Sequence, residues 1–120
     1  MDAPRILVVD DDEAVRYAVC LALSVLGCVT ESASGASEAL ARFQPGRYRA
    51  VVTDVAMPVM NGLELARRLR ALEPGLPIMI FSGEYSPGEI EGSPIAAKPD
   101  IDALTRLIQR TLAPPGAGVG

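Results

Sequence analysis

The segment Ile6-Leu7-Val8-Val9-Asp10-Asp11-Asp12 decides the fold of this chain. Its first four residues form a short apolar run, which is typical of a strand buried on both faces of a parallel sheet. Three carboxylates follow at once, and like charges this close repel unless a cation or a raised pKa relieves them. A second apolar run, 50–53, ends in the same way at Asp54. The sequence therefore predicts two strands that end in acidic residues.

Strand and helix signals alternate along the rest of the chain. The predicted strands cover 5–9, 28–31, 50–53, 77–81 and 95–97. The predicted helices cover 13–26, 34–43, 61–72 and 102–112. Ser34 is the predicted cap of the second helix and Asn61 that of the third, whereas Gly27 is expected to end the first. Strands separated by helices imply crossover connections, so we predict an α/β fold with a doubly wound parallel sheet.

Two segments depart from this alternation. Residues 83–94 contain three Gly and two Pro, so a full fourth helix cannot form there, and we predict one helical turn at most or an ordered loop. Residues 113–120 contain two Pro and three Gly and are predicted to be a flexible tail or linker. The domain prediction is therefore 1–112, followed by 113–120.

Composition favours one compact domain, because the chain has 120 residues of which 49% are hydrophobic. The net charge of -4 and the absence of a clustered basic stripe argue against nucleic-acid binding, and Arg67, Arg68 and Arg70 are interpreted as a solvated helix face. We expect a soluble cytoplasmic protein, because neither a signal peptide nor an apolar run of roughly 20 residues is visible. Cys20 and Cys28 lack zinc spacing, and Cys20 is interpreted as a small buried hydrophobe.

Polar residues follow the predicted strands at the edge where ligands bind in doubly wound sheets. They are Asp10, Asp11, Asp12, Asp54, Ser82 and Lys98. Carboxylates suit a hard divalent cation, whereas a hydroxyl and an ammonium suit phosphoryl oxygens. The chain contains no His, which removes the usual zinc ligand and general base. The metal expected at this edge, if there is one, is Mg²⁺ or Mn²⁺.

Four blocks, 6–12, 51–62, 80–83 and 97–99, occur in the order typical of one protein family. With them the chain resembles, from about residue 5 to 112, the receiver domain of bacterial two-component response regulators. The second block is the specific one, because Asp54 is followed by Met-Pro and Asn-Gly at fixed offsets. The resemblance implies a flavodoxin-like fold of five parallel strands in the order 2-1-3-4-5. It also implies a phosphorelay function, with switched partner binding and without catalysis beyond self-phosphorylation and autodephosphorylation.

The resemblance also implies roles for individual residues. Asp54 would accept a phosphoryl group from a phosphohistidine on a histidine kinase or a histidine phosphotransfer protein. Asp10 and Asp11 would hold Mg²⁺ together with Asp54 and the backbone carbonyl of Ala56. Lys98, whose bond to Pro99 is typically cis in this family, would bind a phosphoryl oxygen. The hydroxyl of Ser82 would bind another oxygen once Asp54 is modified.

The chain departs from the family pattern between Ser82 and Lys98, which are only 16 positions apart. Ile95 occupies the switch position where the family often has an aromatic residue, and Tyr85 is a candidate steric substitute. Asp100 likewise stands where an aromatic residue is common. These changes put the usual output face and dimerisation through it in doubt.

Ala56 and Glu84 lie two places beyond the expected acceptor and the expected switch hydroxyl, where side chains tune how water reaches the phosphoryl group. Ala56 cannot orient a water molecule, whereas Glu84 could. Asp12 is interpreted as a helix cap rather than a metal ligand.

Two other functions stay open from sequence alone. One is a receiver-like interaction domain that takes no phosphate, and the other is a hydrolase that acts through an aspartyl-phosphate. The inert Ala56 argues against the hydrolase, which needs an acid or base near its nucleophile. Nothing in the sequence indicates DNA binding, and the cognate kinase, the output, the oligomeric state and the relation to a longer protein are left open.

Overall fold

A computed structural model of the chain describes residues 3–113. The strands are β1 (Arg5–Val9), β2 (Val29–Ala33), β3 (Ala50–Thr53), β4 (Ile78–Ser82), β5 (Gly88–Ile90) and β6 (Ser93–Ala97). The helices are α1 (Glu13–Val25), α2 (Ala36–Arg42), α3 (Gly62–Leu72) and α4 (Ile101–Leu112). Within residues 3–113, no helix is long and apolar enough to cross a membrane. Most of the predicted tail, 114–120, lies outside the described residues.

All six strands form one sheet in the order β2-β1-β3-β4-β6-β5. The five strands from β2 to β6 are parallel, so the predicted order 2-1-3-4-5 is confirmed once β6 is counted as the fifth parallel strand. The strand order reverses beside β1, because β2 lies on one side of it and β3 on the other. This reversal opens the cleft at the carboxyl edge of the sheet where ligands bind.

The hydrophobic core consists of two layers, one on each face of the sheet. Along β1, Leu7 and Val9 belong to the layer under α2 and α3, whereas Ile6 and Val8 belong to the layer under α1 and α4. Successive side chains of a strand point to opposite faces, so a strand covered by helices on both faces must be apolar throughout. This explains why the run before Asp10 is continuously hydrophobic.

Local capping patterns determine where the helices begin and end. Asp12 caps α1 and Asn61 caps α3, because each side chain accepts two backbone N–H groups of the first turn. Gly27 ends α1 at a φ of 87°, in a Schellman motif in which the N–H of Cys28 bonds to the carbonyl of Leu23. These three predictions are confirmed.

The prediction that Ser34 caps α2 was wrong. The N-cap is Gly35, and Ser34 precedes it. The backbone N–H and the hydroxyl of Ser34 both bond to the Glu38 carboxylate, at 3.1 and 2.8 Å. This bonding satisfies Ser34 outside the helix, so α2 starts one residue later than the pattern indicates.

The segment predicted to be a turn or loop contains the short strand β5, which pairs antiparallel with β6. A two-residue turn, Glu91-Gly92, joins them, and both residues have positive φ, 50° and 84°. Positive φ at both positions is typical of a type I′ turn, whose twist suits a β-hairpin. The chain therefore passes from β4 to the outer strand β5 and returns through β6. The absence of a full fourth helix from residues 83–94 agrees with the prediction, whereas the hairpin was not foreseen.

Two arginines of α3 fasten this hairpin. The Arg67 guanidinium forms two hydrogen bonds of 2.8 Å with the Glu91 carboxylate. Arg70 donates to the Glu91 carbonyl at 3.2 Å and to the Ser93 hydroxyl. Arg68 instead pairs with Glu64 on its own helix. Arg67 and Arg68 are exposed and Arg70 is half-buried, so the predicted solvated face is confirmed for Arg67 and Arg68. The contacts of Arg67 and Arg70 with the hairpin were not foreseen.

Candidate functional site

Three carboxylates meet at the carboxyl edge of the sheet. Asp10 follows β1 and Asp54 follows β3, and the N–H of Asp54 bonds to the carbonyl of Val9 at 3.0 Å. This contact continues the ladder between the two strands past their ends. Asp10 and Asp54 are buried and Asp11 is exposed, and carboxylate oxygens of the three lie within 4.8 Å of one another. The carboxylates predicted from sequence are therefore brought together.

Lys98 follows β6 and extends into this cluster. Its Nζ lies 2.8 Å from Oδ2 of Asp10 and 3.3 Å from Oδ2 of Asp54. The Lys98-Pro99 peptide bond is cis, as expected. Burial lowers the pKa of Lys98, but the hydrogen bonds and charges of Asp10 and Asp54 outweigh it and raise this pKa above its ordinary value. Lys98 is therefore a fixed positive charge between the two buried carboxylates.

Asp54 is held by bonds on both its side chain and its backbone. Its Oδ1 accepts the N–H of Val55 at 2.8 Å, and its carbonyl accepts the Thr53 hydroxyl at 2.8 Å. Burial raises the pKa of Asp54, the charge of Lys98 opposes this, and the charge of Asp10 adds to it, so the net shift is upward. The carboxylate is therefore poorly solvated and depends on nearby positive charge to stay ionised.

The backbone of Asp54 is packed against the start of α3. A methyl group at Gly62 would lie 1.8 Å from the Asp54 carbonyl oxygen, which is closer than any side-chain carbon can approach. The N–H of Gly62 bonds to the carbonyl of Val55 at 2.9 Å. Only glycine therefore allows α3 to begin this close to Asp54.

The loop after β1 is fixed by contacts that the sequence pattern did not indicate. The N–H of Asp12 bonds to Oδ1 of Asp10 at 2.9 Å, and Arg16 donates to the Asp10 carbonyl at 2.7 Å. The second bond joins the first turns of α1 to the loop that carries Asp11. No short-range signal predicts it, because it depends on how the helix folds back over the loop.

Ser82 ends β4 and is fully buried. Within residues 3–113, its hydroxyl accepts the N–H of Glu84 at 3.1 Å, and its carbonyl accepts the N–H of Lys98 at 3.0 Å. Ser82 is thus linked through the backbone to Lys98, while its hydroxyl bonds to its own loop. Ala56 and Glu84, the two expected tuning residues, are both exposed in loops at this edge.

Ile95, at the expected switch position, is buried beside Val55 and Ile80. Tyr85, the candidate steric substitute, packs against this cluster. Asp100, where the family commonly has an aromatic residue, caps α4 by accepting the N–H of Ala103 at 2.9 Å. The N-cap role of Asp100 explains why a short acidic side chain is suitable at this position.

The donor set fits a hard divalent cation. Asp10, Asp11 and Asp54 carry three negative charges when ionised, and Lys98 supplies one positive charge, so a divalent ion would balance the site. The donors are all oxygens, which Mg²⁺ and Mn²⁺ prefer, and the exposed Asp11 leaves room for metal-bound water. Ala56, whose backbone carbonyl is the fourth ligand expected from sequence, lies in the loop between β3 and α3.

A family model described as the response regulator receiver domain matches residues 6–92 of the chain. The chain belongs to this family. This receiver domain is 38% identical over 125 aligned positions to the response regulator MprA of Mycolicibacterium vanbaalenii, an alignment that covers 95% of the chain and 54% of MprA. It is 35% identical over 89 residues to the autoinducer 1 sensor kinase/phosphatase LuxN of Vibrio campbellii, which covers 74% of the chain and 10% of LuxN. The receiver domain thus spans about half or less of these relatives.

Solved structures agree with this assignment. The chemotaxis protein CheY4 of Vibrio cholerae matches with a TM-score of 0.80 and 31% identity, covering 92% of this receiver domain and all of CheY4. The receiver domain of the hybrid histidine kinase CckA matches with a TM-score of 0.78 and 29% identity, covering 91% of this chain and 99% of that one. The receiver domain is therefore a phosphoacceptor module of two-component signalling.

Proposed function

We propose that Asp54 is the phosphoryl acceptor of this receiver domain and that its modification changes which partner the domain binds. The observation that carries this proposal is the position of Asp54, a buried carboxylate beside Asp10 and Asp11 with Lys98 3.3 Å from its Oδ2. A carboxylate attacks phosphorus only where positive charge reduces the repulsion between two anions. The Asp54 carboxylate is paired with Lys98 and accepts the Val55 N–H, and the Thr53 hydroxyl donates to the backbone carbonyl of Asp54.

In the proposed reaction, an oxygen of Asp54 bonds to the phosphorus of a phosphohistidine as the phosphorus–nitrogen bond breaks and the imidazole leaves. Lys98 stays beside Asp54 and neutralises charge on the transferred group. Asp10, Asp11 and Asp54 would hold Mg²⁺ or Mn²⁺ with the Ala56 carbonyl, and the cation would supply further charge neutralisation at the phosphoryl oxygens. The chemistry is limited to self-phosphorylation and autodephosphorylation.

Ser82 is the proposed sensor of the modification. The acyl phosphate adds about two negative charges next to its loop. We infer that the hydroxyl leaves the Glu84 N–H and bonds to a phosphoryl oxygen, which moves the segment that follows β4. Ile95 and Tyr85 pack behind this segment, so their packing would change with it. Glu84 and Ala56 would set how water reaches the phosphoryl group.

The proposed donor is a histidine kinase or a histidine phosphotransfer protein. The matched relatives are named a response regulator and a sensor kinase/phosphatase, which supports a place for this domain in a phosphorelay. We propose a cytoplasmic location, where such donors present their phosphohistidine. The proposed receiver domain is 1–112, with 113–120 as tail or linker.

Mass spectrometry of the domain with acetyl phosphate and Mg²⁺ tests the proposal. We expect a phosphate-sized mass gain that requires the metal and is absent from Asp54→Asn. Asp11→Asn should raise the Mg²⁺ concentration needed. Asp12→Asn is the matched control, because asparagine caps a helix as well as aspartate and Asp12 lies outside the carboxylate cluster.

The outcomes separate the candidate functions. A mass gain that persists in Asp54→Asn would place the acceptor elsewhere. The absence of both modification and metal binding in the folded domain would favour an interaction domain that takes no phosphate.

A further inference from the structure

Arg16 of α1 is bonded twice to the loop that carries Asp11. Its backbone N–H bonds to the carbonyl of Asp12 at 3.0 Å, and its guanidinium donates to the carbonyl of Asp10 at 2.7 Å. Arg16 is half-buried, which shields the second bond partly from water. A charged donor also makes a stronger hydrogen bond than a neutral one. The peptide group that joins Asp10 to Asp11 is therefore held by a side chain of the following helix.

Two further bonds fix the same loop. The N–H of Asp10 bonds to the carbonyl of Ala33 in β2 at 3.2 Å, and the N–H of Asp12 bonds to Oδ1 of Asp10 at 2.9 Å. The guanidinium of Arg16 is a support that comes from outside the loop. A substitution at Arg16 can therefore remove one support without altering a carboxylate or the cap of α1.

The position of Asp11 depends on this backbone more than that of the other two carboxylates does. Asp10 and Asp54 each place Oδ1 on a backbone N–H and Oδ2 beside Lys98. Asp11 is exposed, so packing does not fix its side chain. The direction of its carboxylate is set by the peptide groups on either side of it, and Arg16 holds one of them.

We propose that Arg16 is a positioning residue for the divalent cation. By fixing the peptide group between Asp10 and Asp11, it directs the Asp11 carboxylate toward the cluster that it forms with Asp10 and Asp54. This inference rests on the proposed function, in which the three carboxylates hold the metal. The bond from Arg16 is to a backbone carbonyl, so it does not occupy a carboxylate oxygen that the cation needs.

The sign of the effect separates positioning from charge. Arg16 is a cation beside the metal site, so removal of its charge alone would strengthen Mg²⁺ binding by reducing repulsion between two cations. Removal of a positioning bond has the opposite effect, because the Asp11 carboxylate is then less well directed. Weaker Mg²⁺ binding after neutralisation of Arg16 therefore cannot come from the lost charge.

The test measures the Mg²⁺ affinity of Arg16→Met and Arg16→Lys by isothermal titration calorimetry. Methionine removes the donor and the charge and is a good helix former, so the variant is expected to fold. Lysine keeps the charge and an ammonium donor. Arg42→Met is the matched control, because it removes one positive charge from the last turn of α2, where Arg42 is exposed. Urea denaturation in buffer with a chelator verifies that each variant is folded.

We expect Arg16→Met to raise the Kd for Mg²⁺ by about tenfold, as for other groups that orient metal ligands without touching the ion. Arg16→Lys should recover part of the affinity, and Arg42→Met should not weaken binding. With acetyl phosphate, Arg16→Met should need more Mg²⁺ for half of its maximal rate of modification, whereas the rate at saturating Mg²⁺ should be unchanged.

Unchanged or tighter Mg²⁺ binding by folded Arg16→Met would overturn the positioning role. An equal loss of affinity in Arg42→Met would overturn it too, by indicating an effect of net charge. A lower rate at saturating Mg²⁺ with unchanged affinity would place the role of Arg16 outside metal binding. An unaltered domain that binds Mg²⁺ but is not modified by acetyl phosphate would instead count against Asp54 as the acceptor, and the comparison of affinities would still decide the role of Arg16.

Discussion

At the scale of single residues, Gly62 has the strictest requirement in the site. Alanine there would place its methyl group 1.8 Å from the Asp54 carbonyl oxygen, so either α3 or the acceptor loop must shift. We expect Gly62→Ala to lower the free energy of unfolding by about 1–3 kcal/mol or more, as overpacking does. We also expect slower phosphorylation by acetyl phosphate, because the shift moves Asp54. Urea denaturation and phosphorylation rates measure the two effects.

Gly35→Ala is the matched control for this prediction. Gly35 also lies at the start of a helix, as the N-cap of α2, but a methyl group there would have no atom within 4 Å, and its φ is extended. Its replacement should cost only about 0.5–1 kcal/mol, because alanine is a poorer N-cap residue than glycine. Equal stability losses in both variants would show that close packing at Asp54 is not what requires Gly62.

The roles of residues that contact their neighbours in sequence could be predicted. The roles of residues whose contacts form only when separate elements pack together could not. Asp12 and Asn61 were predicted as caps because a cap bonds within its own first turn. Asp54 was singled out because a strand end shows as an abrupt change from apolar to acidic residues. Arg16 was missed, because its bond to Asp10 exists only once α1 lies against the loop.

At the scale of elements, the hairpin marks the limit of sequence analysis. Gly88 and Glu89 are poor strand formers, and Pro87 precedes them, so local propensity predicts a loop. The strand forms because β6 provides a partner for it. One signal was available: Glu91-Gly92 separates two short segments by two residues ending in glycine, which is typical of a hairpin turn.

Removing the ion pair between Arg67 and Glu91 should loosen the hairpin. In Arg67→Ala, we expect amide hydrogens of residues 88–97 to exchange severalfold faster in hydrogen-exchange mass spectrometry, because two bonds to the turn are lost. The rest of the sheet should keep its protection, since an exposed pair adds little to global stability.

Arg68→Ala provides the comparison, because Arg68 is an equally exposed neighbour on α3 that, among the described residues, pairs only with Glu64 of its own helix. The amide hydrogens of the hairpin in Arg68→Ala should exchange at the same rate as in the unaltered domain. If both variants exchanged alike, the effect would belong to helix α3 and not to its contact with the hairpin.

At the scale of the whole molecule, the charge on Asp54 opposes folding when no metal is present. Burial raises its pKa, so between the unfolded and folded pKa values the folded chain binds the additional proton. The free energy of unfolding therefore falls as pH rises through that window, and the full cost is present above it. Asp54→Asn removes this cost. We expect the Tm of Asp54→Asn to increase relative to that of the unaltered domain as pH rises. Both are measured in buffer that contains a chelator.

Asp102→Asn, which removes an exposed carboxylate from α4, controls for net charge. The Tm of Asp102→Asn relative to the unaltered domain should show no comparable increase over the same pH range. A difference between Asp54→Asn and the unaltered domain that stayed constant or shrank with rising pH would mean that Lys98 compensates fully for burial.

The hairpin also determines how the sheet ends. An outer strand with free N–H and carbonyl groups is a template for pairing with another chain, and proteins blunt such edges with short strands, charge and proline. β5 has all three features: it spans 3 residues, Glu89 at its centre is exposed, and Pro87 precedes it without an N–H to donate. At this end of the sheet, the domain therefore replaces a helix with a strand without offering neighbouring molecules an edge on which intermolecular sheets could grow.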